Sequence, residues 1–113
     1  MTPGSGTKVP GLDCRFGTIG VISDYDPDAP AGPGFTADAE PAMRAALDGS
    51  GGDLGRAVAR VVRFESWSPR PREITFVGAT ADGERTIAVG VSQSRATGLW
   101  HGYRTERCAP APG

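Results

Sequence analysis

Alternating apolar and polar positions in the last third of the chain predict three β-strands. The stretch "REITFVGA" (72–79) alternates, an Asp-Gly turn follows, and "TIAVGVSQ" (86–93) alternates again. After "SRATG" (94–98), which is typical of a turn, "LWHGYRTERC" (99–108) has the pattern of a final strand. The pattern therefore predicts a three-stranded antiparallel meander at the C-terminal end.

A short helical stripe lies well before this meander, in "TADAEPAMRAALDG". Asp38 is placed to cap a helix, and Pro41 then falls in the first turn, where its missing N–H does no harm. Met43, Ala46 and Leu47 share one face at helical spacing. We predict one short helix here.

The stretch "GDLGRAVARVVRFESW" (52–67) fits two different periods. Its first apolar positions follow the helical spacing with Asp53 as the cap, whereas its β-branched end suits a strand. We predict a short helix to about Arg60 that gives way to a strand, which Pro69 and Pro71 end.

These elements predict an α+β fold. One or two short N-terminal helices pack on a small antiparallel sheet, and the three-stranded meander is extended by one or two strands. The stretch "CRFGTIGVI" (14–22) is a candidate for one of them, although its two glycines weaken it. Because the 17 Gly and 10 Pro crowd at the ends and in loops, we expect a flexible stub over 1–13, a compact domain over 14–108 and a flexible tail over 109–113.

Strict alternation divides the last strand into two faces. Leu99, His101, Tyr103 and Thr105 fall on one face, and Trp100, Gly102, Arg104, Glu106 and Cys108 fall on the other. If Cys108 points inward, Trp100 belongs to the core, and His101 is a solvated side chain rather than an acid–base catalyst. The aromatic residues allow a second interpretation, in which Trp67, Trp100, His101 and Tyr103 form a patch that stacks on a ligand or partner, although core packing explains most tryptophans.

The two cysteines lie just inside the two ends of the expected domain. Because domain termini tend to lie close together, Cys14 and Cys108 are placed to form a disulfide. Such a bridge would indicate an oxidising compartment and hence export. The alternative is two reduced, buried cysteines in a cytosolic protein. The first residues, "MTPGSGTKVPGLDC", do not have the pattern of a signal peptide, so under the export hypothesis we expect a leader that has been removed and a linker stub over 1–10.

The charge of the chain is split between its halves. Residues 1–55 carry three basic and eight acidic side chains, whereas residues 56–113 carry nine basic and five acidic ones. Either the two halves face each other and their fields partly cancel, or an Arg-rich sheet face binds an anionic partner. Since Glu interrupts each Arg-rich segment, we expect no nucleic-acid partner. No stretch approaches the roughly 18 apolar residues of a membrane span.

The loop "DYDPDAP" places Asp24, Asp26 and Asp28 at alternate positions, as in a calcium-binding loop. An EF-hand would also need Gly at its sixth position and Glu at its twelfth, where this chain has Ala29 and Phe35. A looser calcium site and an ordinary acidic turn remain, and the turn accounts for the Pro and Gly of this loop. The two cysteines and His101 lack zinc-site spacing, and no phosphate-binding or nucleophile motif is present, so we expect neither a cofactor nor a resident metal.

The order of these features resembles a known group of proteins. A first cysteine, the acidic "DYDPDAP" loop, a short alanine-rich helix, a meander and a closing "GLWHGYRTERC" are similar to small exported proteins and lipoprotein domains of actinobacteria. The excess of Arg over Lys, eleven to one, and the absence of Asn also fit a GC-rich genome. The resemblance covers most of residues 14–108 and implies export and a disulfide, without an activity or functional residues.

The sequence therefore predicts an exported, non-enzymatic domain with a binding or accessory role at the cell surface, whose partner is a protein or another envelope component. Two alternatives remain open. One is a small cytosolic adaptor that uses an Arg-rich face, and the other is a small ligand-binding or enzymatic α+β cup.

Overall fold

The computed structural model describes residues 11–22, 28, 30, 32, 35–48 and 50–110, and places five strands and two helices in them. The strands are β1 (Thr18–Ile22), β2 (Val61–Arg70), β3 (Glu73–Thr80), β4 (Arg85–Gln93) and β5 (Trp100–Cys108). The helices are α1 (Ala39–Leu47) and α2 (Gly52–Arg60). The predicted α+β class is confirmed.

All strands join in one antiparallel sheet with the order β1-β5-β4-β3-β2. Strands β3 to β5 are the predicted meander, and the strand that follows α2 extends it at one edge. The N-terminal strand extends it at the other edge, where Thr18 pairs with Cys108 and Ile22 with Arg104. The sheet therefore has both of the extensions that the sequence allowed.

Helix α1 supplies most of the cover of the sheet. Its buried residues are Ala42, Met43 and Leu47. They form one core with Phe76, Ile87, Val89 and Val91 from the facing side of β3 and β4, and Trp100 packs against this core. Apolar residues two apart on β4 meet Met43 and Leu47, which are four apart on α1 and therefore lie on one face of the helix.

Helix α2 passes directly into β2 without a loop, at the Arg60–Val61 boundary that the pattern indicates. Leu54 and Val58 lie against the edge of the core, but none of the α2 side chains is fully buried. The helix is therefore attached to the sheet more loosely than α1 is.

Strand β5 contains a bulge that changes the direction of its side chains. Gly102 pairs with Val91 and Arg104 pairs with Gly90, which leaves Tyr103 as an extra residue between the two pairs. Directly paired residues point to the same side of a sheet. Beyond Tyr103 the alternation therefore starts again with the opposite assignment.

This bulge corrects the predicted faces of the last strand. Trp100 and Gly102 do face the helices, because Gly102 pairs with the core residue Val91. Arg104, Glu106 and Cys108 lie on the other side, and the prediction that all five share a face is wrong. Strict alternation assumes an unbroken strand, and nothing in the sequence marks the extra residue.

Candidate functional site

The two ends of the sheet domain are joined covalently. Cys14 and Cys108 form a disulfide, with an S–S distance of 2.07 Å and 5.1 Å between their Cα atoms. The predicted disulfide is thus confirmed. Two backbone contacts lie beside it: the Ala109 N–H donates to the Gly17 oxygen at 2.8 Å, and the Asp13 N–H donates to the Arg85 oxygen at 2.7 Å.

We call the side of the sheet away from α1 and α2 the distal face. Residue pairing places Trp67 of β2 opposite Thr75 of β3, and Thr75 opposite Gly90 of β4. Thr75 alternates with Ile74 and Phe76, which pack towards the helices, so this row lies on the distal face.

Tyr103 covers the glycine in this row. A Cβ atom built on Gly90 would lie 3.2–3.3 Å from the Tyr103 ring, so a side chain at this position would press on the ring. The Tyr103 hydroxyl reaches across β4 and donates to Oε1 of Glu73, on β3, at 3.0 Å. The bulge of β5 and the glycine of β4 together fix the position of Tyr103 on the distal face.

A second row on this face contains Glu73, Ser92 and His101, which pair with one another in that order across β3, β4 and β5. The ring of Phe35 stacks on His101, with 4.5 Å between centroids and 17° between planes. These residue types occur in hydrolases, but a nucleophilic serine must reach its substrate. Ser92 is 0 % exposed, so this row is a structural feature of the sheet rather than a catalytic set.

The four residues of the predicted aromatic patch therefore separate into two groups. Trp67, His101 and Tyr103 lie half-buried on the distal face, and we call these three the aromatic patch from here on. Trp100 lies on the other side of the sheet and packs against the core. Strand order thus brings Trp67 to the same face as residues far from it in sequence, and alternation places Trp100, the neighbour of His101, on the opposite face.

Two buried side-chain atoms on the distal face make no hydrogen bond to the described residues. The Trp67 indole Nε1 and the Ser92 hydroxyl are buried without a hydrogen-bond partner among the described residues. Buried polar atoms are usually paired, because an unpaired one costs free energy. Both of these atoms lie in or next to the aromatic patch.

Of the three aspartates that the sequence suggests for a cation site, the structure describes only Asp28. Asp24 and Asp26 lie outside the described residues. The Asp28 carboxylate accepts two hydrogen bonds from Arg95, at 3.1 and 3.0 Å, in the paired geometry that favours an Arg–carboxylate contact. Within the part of the chain that the structure describes, no group of three His, Cys, Asp or Glu side chains could hold a metal ion.

Two open clefts border the helices. One, of about 460 Å³, lies between the helices and β2 and is lined by Leu47, Val58 and Phe64 among others. The other, of about 590 Å³, lies between α2 and the end of β5. Its charged lining consists of Arg56, Arg60 and Arg107 together with Asp53, Asp82 and Glu84.

Three of the nine arginines of residues 56–113 line the second cleft. Arg56 forms an ion pair with Asp53, and carboxylates equal arginines in number around the cleft. The structure therefore gives a mixed surface at this point rather than a uniformly basic one.

Sequence reasoning missed two parts of the distal face. The sequence indicates Glu73 and Ser92 only as strand residues, since their neighbours in the sheet depend on pairing between strands. The contact of Phe35 with His101 depends on a bridge between Thr36 and Trp100, which has no local signal.

Comparison with family models, with curated proteins and with solved structures found no match to this chain. None of the helices in the described part is long and apolar enough to cross a membrane.

Proposed function

We propose that this chain is an exported, non-enzymatic domain with a binding or accessory role at the cell surface, and that the distal face is its contact surface. The Cys14–Cys108 bridge is the observation that carries this proposal. Disulfides persist in oxidising compartments and are rare in the cytosol. Here the only two cysteines of the chain are joined across a separation of 94 residues. The resemblance to small exported proteins of actinobacteria points to the same compartment.

The aromatic patch supports the choice of surface. Trp and Tyr supply a large contact area at low entropic cost and dominate many protein interfaces. Thr75 lies between Trp67 and the Gly90 position that Tyr103 covers, so small residues separate the two large rings. A partner protein or another envelope component would rest on these rings. Nothing in this role requires a cofactor.

A second candidate function follows from the cleft between α2 and β5. Three arginines line it together with three carboxylates, and an adaptor with an anionic partner would contact Arg60 and Arg107, since Arg56 is already paired with Asp53. Such binding would weaken steeply as salt is added, whereas contact through aromatic rings would not.

The compartment is tested by the intact mass of the native protein from separate cytosolic, envelope and medium fractions of the producing cells. Each sample is alkylated in denaturant, with and without prior reduction. We expect the protein in the envelope or medium, with two labels added only after reduction. Cytosolic protein that takes both labels without reductant would instead support the adaptor.

The surface is tested on the same envelope material with purified protein. We expect Trp67→Ala and Tyr103→Ala each to weaken binding about tenfold or more. Val62→Ala is the control, because it removes an exposed apolar side chain near the start of β2, five residues before Trp67. Binding that is unchanged in both patch variants would overturn the assignment of the distal face.

A further inference from the structure

Exposed apolar side chains of this protein are concentrated at one edge of the sheet. Five large apolar residues are exposed in the described part of the chain. Four lie in or just before β1: Phe16 (47 %), Ile19 (41 %), Val21 (67 %) and Ile22 (72 %). Ile19 and Val21 lie on the helix side of the sheet and Ile22 on the distal side, so this edge exposes apolar side chains on both faces. The fifth, Val62 (62 %), lies on β2 at the opposite edge.

The two edges of the sheet differ in how they resist pairing. Strand β2 is interrupted by two register shifts and carries Arg63, Glu65 and Arg70, which are the usual protections of an edge strand. Strand β1, "TIGVI", is paired without interruption to β5 on one side and has no charged residue. It is the last strand of the sheet and all five of its residues are exposed. The outward N–H and C=O groups of such an edge strand can pair with another strand.

We propose that β1 pairs antiparallel with β1 of a second copy of this chain, about a two-fold axis at Gly20. The two sheets then continue into one another as a single antiparallel sheet. This inference goes beyond the proposed function, because it uses an edge of the sheet rather than the distal face.

The sequence of β1 favours a second copy over an unrelated strand, because it is complementary to itself in this register. Gly20 lies opposite Gly20 of the second copy, and Ile19 lies opposite Val21 twice, once on each side of the axis. Ile19 and Val21 are on the helix side, since they pair with Arg107 and Thr105. Cross-strand pairs of β-branched residues stabilise antiparallel sheets, and closed two-fold dimers are the commonest oligomers.

The net charge of the chain and the small interface area determine how tightly the two copies bind. The strand brings no like charges together across the axis, and a net charge of −1 gives little repulsion between copies. A strand pair of five residues a side does not reach the roughly 1,200 Å² of a standard stable interface. The dimer is therefore weak and forms with rising concentration.

The test is analytical ultracentrifugation of the purified, oxidised protein from micromolar to millimolar concentration. We expect a reversible shift from monomer to dimer, which Val21→Lys moves to at least about tenfold higher concentration. Val62→Lys is the matched control, since it places the same charge at a similarly exposed valine on the other edge, and it leaves the shift unchanged. Circular dichroism and a melting curve establish that each variant is folded.

A mixing experiment tests the register itself. At the concentration where half of the wild-type chains are dimeric, Ile19→Glu protein and Val21→Lys protein are each expected to be mainly monomeric alone. Mixed together they restore a dimer, because the two introduced charges of opposite sign face each other only when Gly20 lies on the axis. A chain that stays monomeric at millimolar concentration, or a dimer that Val21→Lys does not weaken, overturns the proposal. An envelope peptide that protects the β1 amides of a chain that stays monomeric would likewise replace the second copy as the occupant.

Discussion

At Gly102, strand β5 approaches helix α1 so closely that a single added carbon would collide with it. A Cβ atom at this position would lie 2.7 Å from the Cβ of Ala46. Two small residues, one on each element, therefore set the distance between the helix and the sheet. Alternation assigns Gly102 to the correct face, but only the packing explains why a glycine is required there.

This contact gives the first stability prediction. Gly102→Ala is expected to lower the free energy of unfolding by about 1–3 kcal/mol, because the helix must move or the side chain must be forced against it. The measurement is the midpoint of urea unfolding at low protein concentration. Gly20→Ala is the control: its Cβ would lie no nearer than 3.6 Å to any neighbour, so it should be neutral or slightly stabilising.

A second substitution tests whether the stability lost in Gly102→Ala comes from collision with Ala46 or from a changed strand geometry. Ala46→Gly in the Gly102→Ala background removes the opposing Cβ and should recover part of the lost stability, although glycine inside a helix costs about 1 kcal/mol. If the double variant loses as much unfolding free energy as the two single variants added together, the two residues do not interact.

The two helices differ as elements, because α1 is part of the core and α2 only borders it. Leu47 of α1 is buried, whereas Leu54 of α2 is only partly buried. We predict that Leu47→Ala costs about 2–5 kcal/mol and Leu54→Ala markedly less. The same difference should appear in native-state hydrogen exchange, where α2 amides exchange faster than α1 amides, because loosely packed elements open locally. Equal protection of both helices would contradict this.

The parts of the fold that the sequence predicts are those with a strong local period. The alternation in β3 and β4 predicts two strands, and the helical stripe of Met43 and Leu47 predicts a helix and its apolar face. The change from α2 to β2 is predicted because the helical spacing of apolar residues ends near Arg60 and β-branched residues follow from Val61. The bulge at Tyr103 has no such signal, since pairing with Gly90 decides which residue is extra.

The candidate site depends on these non-local features and was predicted only in part. Trp67, His101 and Tyr103 were recognisable as residues of interest by type alone. His101 and Tyr103 share a face by alternation, and the strand order brings Trp67 to the same side. The patch interpretation adds Trp100 because it uses residue type alone, whereas alternation puts Trp100 on the opposite face. The edge strand β1 was recognised as a strand, but its exposure depends on where the helices lie, which the sequence does not specify.

At the scale of the whole molecule, the disulfide has the largest expected effect on stability. It joins residues separated by 94 positions. In the chain-entropy model a loop of this length is worth roughly 4–5 kcal/mol, acting through the unfolded chain. A domain of this size has only about 5–15 kcal/mol in total. The core is small, so the bridge supplies a large share of the stability.

We therefore predict that the Cys14→Ser, Cys108→Ser double variant keeps its native circular dichroism spectrum in the cold but unfolds at much lower urea. Since the unfolded chain without the bridge is more expanded, the dependence of the unfolding free energy on urea should also become steeper. The wild-type protein under reducing conditions is the control and should behave like the variant.

A loss of unfolding free energy below about 1 kcal/mol with an unchanged slope would mean that the bridge adds little to a folded state already held by non-covalent contacts. The candidates for those contacts are the β1–β5 pairing and the hydrogen bonds between Asp13 and Arg85. Reduction would then leave the domain folded, and the bridge would indicate where the protein is made rather than what keeps it folded.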